Sequence, residues 1–240
     1  MSVESIFLLL AAFLVLLLLV VGFETVGFTL GEALLIFVGS TLLFVTSFPS
    51  VLLYFQGSLG IGIIDVPLRL LLFQQLVAVG PRNELALGFD IGGFLIPFFI
   101  SVKLMLSKRS PVKASVIGVA CIAVLAYFSS SYVLGEGVII RNIIVIAVLA
   151  GILGILLSKR QWGQVGPIAY VAGSLGVLLG ADLIRVGAIL NYHSRGFAFA
   201  SIGGAGVFDA IFLVGVLAVT IDVIFVENVR LINWIQRRLA

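Results

Sequence analysis

Runs of about twenty apolar residues recur along this chain, each long enough to cross the roughly 30 Å hydrocarbon core of a bilayer as a helix. They occupy residues 6–23, 30–47, 59–79, 88–106, 112–128, 138–157, 165–184 and 206–225. Backbone N–H and C=O groups find no water in hydrocarbon, so such segments must satisfy their hydrogen bonds internally. The pattern predicts an all-α membrane protein, a polytopic bundle of about eight transmembrane helices. Only 10% of the 240 residues are charged, against about 25% in soluble domains, so the surface cannot mostly face water. No Gly/Ser/Pro-rich linker or charged run divides the series. Residues 1–240 read as a single transmembrane domain.

The charges lie between the apolar runs, where they orient a membrane protein. With Lys108, Arg109 and Lys113 in the cytoplasm, strict alternation puts Lys159, Arg160, Arg230, Arg237 and Arg238 there too. The Glu24/Glu32 segment falls on the opposite side, and both termini are expected in the cytoplasm of a cell-membrane protein. The first run carries Glu4 instead of a basic leader and reads as a first membrane helix, not a cleaved signal. The stretch V-L-L-Y-F-Q-G-S-L-G reads as a loop. Asp65, Pro67 and Arg69 mark run 59–79 as either a span or a broken, re-entrant helix. The tail after residue 227, with Trp234 among arginines, reads as an interfacial helix. A formal charge of +3 scattered in this way points to the lipid bilayer as partner and not to nucleic acid. The chain holds one His and one Cys, His193 and Cys121, so a His/Cys metal cluster and a Cys/His nucleophile are both excluded. No metal and no cofactor is expected.

Carboxylates in or beside hydrocarbon are functional candidates because placing them there is costly. One apolar run ends on Asp182, and the next opens with Gly203, Gly204, Gly206 and Asp209. If these runs cross as an antiparallel pair, the two carboxylates lie at one depth on neighbouring helices. Two such groups close together would share a proton, a state suited to activating water against a peptide carbonyl. Simpler roles are also open: Asp209 as the cap of its helix, and Asp182 as the ion-pair partner of Arg185 three residues on.

The stretch G-A-G-V-F-D-A-I-F-L-V-G-V-L, after a span ending in Asp, resembles the second aspartate helix of the GxGD intramembrane aspartyl proteases, presenilin and the signal peptide peptidases. Val207 and Phe208 stand between its glycines and its Asp. The resemblance implies catalytic roles for Asp182 and Asp209 and a transmembrane protein or peptide as substrate. The wider pattern S-I-G-G-A-G-V-F-D-A-I-F-L-V-G-V-L-A is closer to an uncharacterised prokaryotic integral membrane family, which implies no particular chemistry.

A second expectation is a transporter or channel for a cation, a proton-coupled solute or a lipid. It would use Asp65, Asp90, Asp182, Asp209 and Asp222, with Arg69 four residues after Asp65 as a structural ion pair. Asp222 falls on a different helix face from Asp209, toward the inner end. A third expectation is a membrane interaction protein with no catalysis.

Overall fold

The computed structural model describes residues 3–39, 51–56, 60–63, 85–89, 91–133, 137–185, 198–203 and 209–239, and helices carry most of them. They are α1 (Val3–Thr25), α2 (Leu30–Leu34, continued by a π turn at Leu35–Gly39) and α3 (Ile96–Leu106, preceded by a π turn at Ile91–Leu95). After these come α4 (Val112–Ser129), α5 (Ile143–Leu157), α6 (Trp162–Val177, continued by a π turn at Leu178–Leu183) and α7 (Ala210–Leu239). Three helices among the described residues are long and apolar enough to cross a membrane: Val112–Ser129, Trp162–Leu183 and Ala210–Arg238. Their length and composition suggest a membrane protein. Among the described residues a bundle of eight spans does not emerge. Helix α6 is the centre, with 83% of its apolar window buried against 28% for α4. The outward residues of α4 and α5 remain apolar, among them Val116, Ile117, Val124, Phe128, Ile144 and Leu156.

Small side chains let the helices close on α6. A Cβ added to Gly180 would lie 2.1 Å from the carbonyl oxygen of Ala123, and one on Gly118 would lie 2.8 Å from the Ala172 methyl. Gly173 instead meets Val214 and Gly215 of α7. The glycines at 173, 176 and 180, whose spacing suits close helix approach, serve two neighbours. Gly173 faces α7, while Gly176 and Gly180 face α4.

The fold departs from an all-helical one. Strands β1 (Val51–Gln56), β2 (Gly60–Ile63), β3 (Leu85–Phe89) and β6 (Ala198–Ile202) form a sheet in the order β2-β1-β3-β6. Strands β1 and β2 pair antiparallel, Gln56 opposite Gly60, whereas β3 and β6 pair parallel. Strands β4 (Ser130–Val133) and β5 (Gly137–Ile140) form a separate antiparallel pair after α4. The stretch read as a loop is thus a hairpin. Its aromatic and apolar run V-L-L-Y-F-Q followed by glycine is a strand-and-turn pattern. Strand β2 occupies the start of predicted span 59–79, whose remainder lies outside the described residues, and strand β5 replaces the start of predicted span 138–157.

The direction of the chain also corrects the predicted sidedness. Arg109, which follows α3, donates to both carboxylate oxygens of Glu32 and to the carbonyl of Gly27 (3.3 Å). Arg230 donates to the carbonyl of Thr25 (3.0 Å). The α1–α2 turn, the α3–α4 loop and the distal part of α7 therefore share one end of the bundle, hereafter the basic end. Alternation had placed Glu24 and Glu32 opposite Arg109. The reason is that Gly39, at the end of the α2 segment, packs near Ile96 at the start of α3, so α3 returns alongside α2 and brings Arg109 to the end that holds Glu32. Helices α1 and α7 consequently run parallel, with Gly22 against Val223 and Thr25 beside Arg230. This orientation sends the start of α1 and the end of α7 to opposite ends of the bundle, not to a common side.

The basic end is closed by the turn between α1 and α2. Gly27 has φ +113°, a left-handed conformation that glycine adopts without strain, and a Cβ there would strike the carbonyl of Gly163. Val26 and Phe28 are buried on either side of it. Glu32 anchors the arrangement. Its side chain accepts from the Thr29 backbone N–H (2.9 Å), while its own N–H donates to the Thr29 hydroxyl, a reciprocal helix cap. Lys103 adds a second cation at 3.0 Å.

Candidate functional site

The antiparallel packing of α6 and α7 sets which carboxylates approach one another. Gly173 faces Val214, and Gly215 lies against Tyr170 and Ser174. Continuing this register places Asp182 about one helical turn beyond the level of Asp209, at the end of the bundle opposite the basic end. Shared depth was the expectation; the helices run antiparallel, and the two carboxylates share an end but stand about one turn apart in level.

The details of the two residues differ. Asp182 is half-buried within the π turn Leu178–Leu183, a distortion that often accompanies functional sites. Asp209 caps α7: its Oδ1 accepts from the Ile211 N–H at 2.8 Å, and its carbonyl accepts from the Leu213 N–H. Arg185 does not form the expected ion pair with Asp182 among the described residues. It donates from Nε to the Ser130 hydroxyl (2.8 Å) and from Nη2 to the carbonyls of Tyr127 (2.8 Å) and Ser130 (2.6 Å). Its guanidinium also lies over the Tyr127 ring, 4.8 Å from the centroid. These acceptors occupy the end of α4, which runs alongside α6, so Arg185 fastens two helices together.

Gly203 has φ +74° and packs so tightly on Gly93 and Phe94 that a Cβ would sit 2.6 Å from the Phe94 nitrogen. It joins β6 to the start of α3. Gly204, Gly206, Asp65, Arg69 and Asp90 lie outside the described residues.

The structure singles out a different carboxylate. Asp222 is fully buried, and neither of its oxygens has a hydrogen-bond partner among the described residues. It lies eight residues before Arg230 on α7, about 12 Å inward from the basic end. Room for it comes from α5. A Cβ on Gly154 would be 2.9 Å from its Oδ2, and one on Gly151 would be 3.3 Å from its Oδ1. The Val165 carbonyl and the Ala169 methyl of α6 adjoin the same spot. Neither α5 nor the α6 segment Trp162–Val177 contains a charged residue, so these two helices supply no counter-charge. An ion buried without one costs several kcal/mol. Among the described residues three hydroxyls likewise lack an outside partner: Ser101 on α3, and Tyr170 and Ser174, a pair one turn apart on α6. No group of three or more metal-ligating side chains occurs among the described residues.

Sequence reasoning included Asp222 only within the wider transport set. The available signal was a carboxylate in the middle of an apolar run, together with a G-x-x-G spacing at Gly151 and Gly154. Ser174 carried no signal, since a serine hydroxyl inside an apolar helix is usually satisfied by its own backbone, and Tyr170 reads as an ordinary core aromatic.

Residues 63–221 match a protein family of unknown function, DUF1614. The chain belongs to the DUF1614 family. The match agrees with the expectation of an uncharacterised family and brings no relationship to aspartyl proteases. Within this DUF1614 chain the matched stretch takes in Asp182, Asp209 and all of α3 to α6, and it ends one residue before Asp222. No curated protein and no solved structure matches the DUF1614 chain.

Proposed function

We propose that this protein is a membrane transporter that moves a cation, or a solute coupled to one, through the α5–α6–α7 junction, with Asp222 as the cation-binding group. One observation carries the reading: a carboxylate buried midway along an apolar helix with both oxygens unpartnered among the described residues. A structural carboxylate would be expected to have a partner, and ionisable groups within membrane helices mark ion and proton pathways. We further propose that the basic end faces the cytoplasm, since Lys103, Lys108, Arg109, Lys159, Arg160 and Arg230 gather there and follow the positive-inside rule. The test is reconstitution of the full chain in liposomes carrying an imposed proton or sodium gradient, read with an entrapped pH dye and with radioactive sodium. The wild type is expected to dissipate one gradient, and Asp222→Asn to slow it at least about a hundredfold, the lower end of what loss of a proton-transfer group does. An Asp222→Asn protein as fast as wild type ends the proposal.

A second reading is favoured by the placement of Asp182 and Asp209 at the same end of adjacent antiparallel helices, about one turn apart in level: hydrolysis of a peptide bond in a membrane-embedded substrate by this pair. It predicts that Asp182→Asn and Asp209→Asn each abolish cleavage of a transmembrane reporter, while Asp222→Asn does not. Cleavage by either of the first two variants rejects it.

A further inference from the structure

The unpartnered polar groups of the core are not scattered. Gly215 and Asp222 are seven residues apart on α7, which brings them to the same face two turns apart. At the level of Gly215 lie the Tyr170 ring and the Ser174 hydroxyl, the latter only 2.2 Å from where a Cβ would stand. Both residues are fully buried, and among the described residues neither hydroxyl has a hydrogen-bond partner outside the pair. Six residues further toward the far end is Asp209, with Asp182 about one turn beyond it. The α6–α7 seam therefore carries a carboxylate, two hydroxyls and two more carboxylates in order, with steps of about 10 Å between the first three levels.

We propose that the ligand of Asp222 is a proton, relayed along this seam between Asp222 and the Asp182/Asp209 end through the hydroxyls of Tyr170 and Ser174. The inference rests on the transport reading above and names its coupling ion. The chemistry of the donors favours a proton over a metal cation. A hard metal ion such as calcium or magnesium takes six or more oxygen ligands, whereas the surroundings of Asp222 are Gly151, Gly154, Ala169, Ala218 and Ile221 with helix carbonyls. A proton needs one carboxylate oxygen.

The relay balances with water as the only co-reactant. The Asp222 carboxyl gives its proton to a water molecule, which passes a different proton to the oxygen of a Ser174 or Tyr170 hydroxyl. That hydroxyl releases its original proton onward, through water, to the carboxylate of Asp209 or Asp182. Each hydroxyl ends as it began, and Asp222 is left as a carboxylate until a proton returns. Steps of this length require water entry or a helix movement during the cycle. The groups nearest the route from each element are Glu227 and Arg230 toward the basic end of α7, Asp182 and Arg185 after α6, and none on α5.

The experiment is difference infrared spectroscopy of the full chain in lipid, following the C=O band of a protonated carboxyl and its hydrogen–deuterium exchange. The wild type is expected to show a buried carboxyl band that Asp222→Asn removes and that sodium leaves unchanged. In a Tyr170→Phe/Ser174→Ala double variant the band remains, which reports an intact site, but its exchange slows at least about a hundredfold. Three results overturn the relay: no band lost in Asp222→Asn, a band abolished by sodium, or unchanged exchange in the double variant. The outcome separates from that of the transport reading. A band that exchanges through Tyr170 and Ser174 in a protein that moves no ions keeps the relay and removes the transporter. Flux that needs Asp222 but not the hydroxyls does the reverse.

Discussion

Glu32→Ala is expected to lower stability by about 2–3 kcal/mol and to loosen the basic end of the bundle. Removing one partner of a buried ion pair costs about 3–5 kcal/mol, reduced here because the cations are partly solvated: Arg109 is 26% exposed and Lys103 62%. The substitution also removes half of the reciprocal cap with Thr29 and frees Arg109 from the Gly27 carbonyl contact it makes alongside. The same residue predicts a pH dependence. Burial alone would raise the Glu32 carboxyl above its ordinary 4.5, but the Arg109 fork, the Thr29 N–H and hydroxyl, and Lys103 outweigh it and hold the group at about 2. A depressed carboxylate contributes stability that is fully present above its unfolded value and disappears as pH falls through its folded one. Denaturation of the detergent-solubilised protein should therefore show a loss between about pH 4.5 and 2 that Glu32→Ala lacks. A variant with wild-type stability and the same acid limb would show that the cluster holds nothing.

Asp222→Ala is expected to act in the opposite sense on stability: a gain of about 1 kcal/mol accompanying loss of cation flux. A buried polar group left without a partner costs about 1–3 kcal/mol, and replacing it with a methyl removes that cost. Against this stands the small void left behind, at about 24 cal/mol per Å³, limited because Gly151 and Gly154 already approach closely. Thermal unfolding in a single detergent reads the sign directly. A large destabilisation would mean that Asp222 is a structural residue with a partner, and the transport proposal would lose its footing.

The membrane character of the chain was legible because it depends on local apolar length alone. So was the shared end of Asp182 and Asp209, since two consecutive apolar runs joined by one connector run antiparallel. What escaped depends on contacts between distant residues. Arg185 follows Asp182 by three residues, yet it serves Ser130 and Tyr127, which lie 55 and 58 positions away. Glu32 and Arg109, 77 residues apart, share an end because Gly39 meets Ile96 and α3 returns alongside α2, and strict alternation of apolar runs cannot reveal that. Strand β2 inside an expected span belongs to the same error: length and apolarity alone do not separate a buried strand from a helix. The isolation of Asp222 was hidden for a related reason. Its depth could be read from its run, but its lack of a partner depends on which face of α7 meets the glycines of α5.

The π turn at Leu178–Leu183 carries a consequence for how Asp182 could be presented. Bonds that skip five residues instead of four accommodate one surplus residue in the helix. Sliding that surplus toward Arg185 would turn the residues it passes, Asp182 among them, by about 100° about the axis and leave those beyond it in place. Asp182 would then swing from one neighbouring helix to another with little vertical travel. Arg185, held by Tyr127 and Ser130 just past the turn, fixes the far end of the stretch within which such a shift would take place.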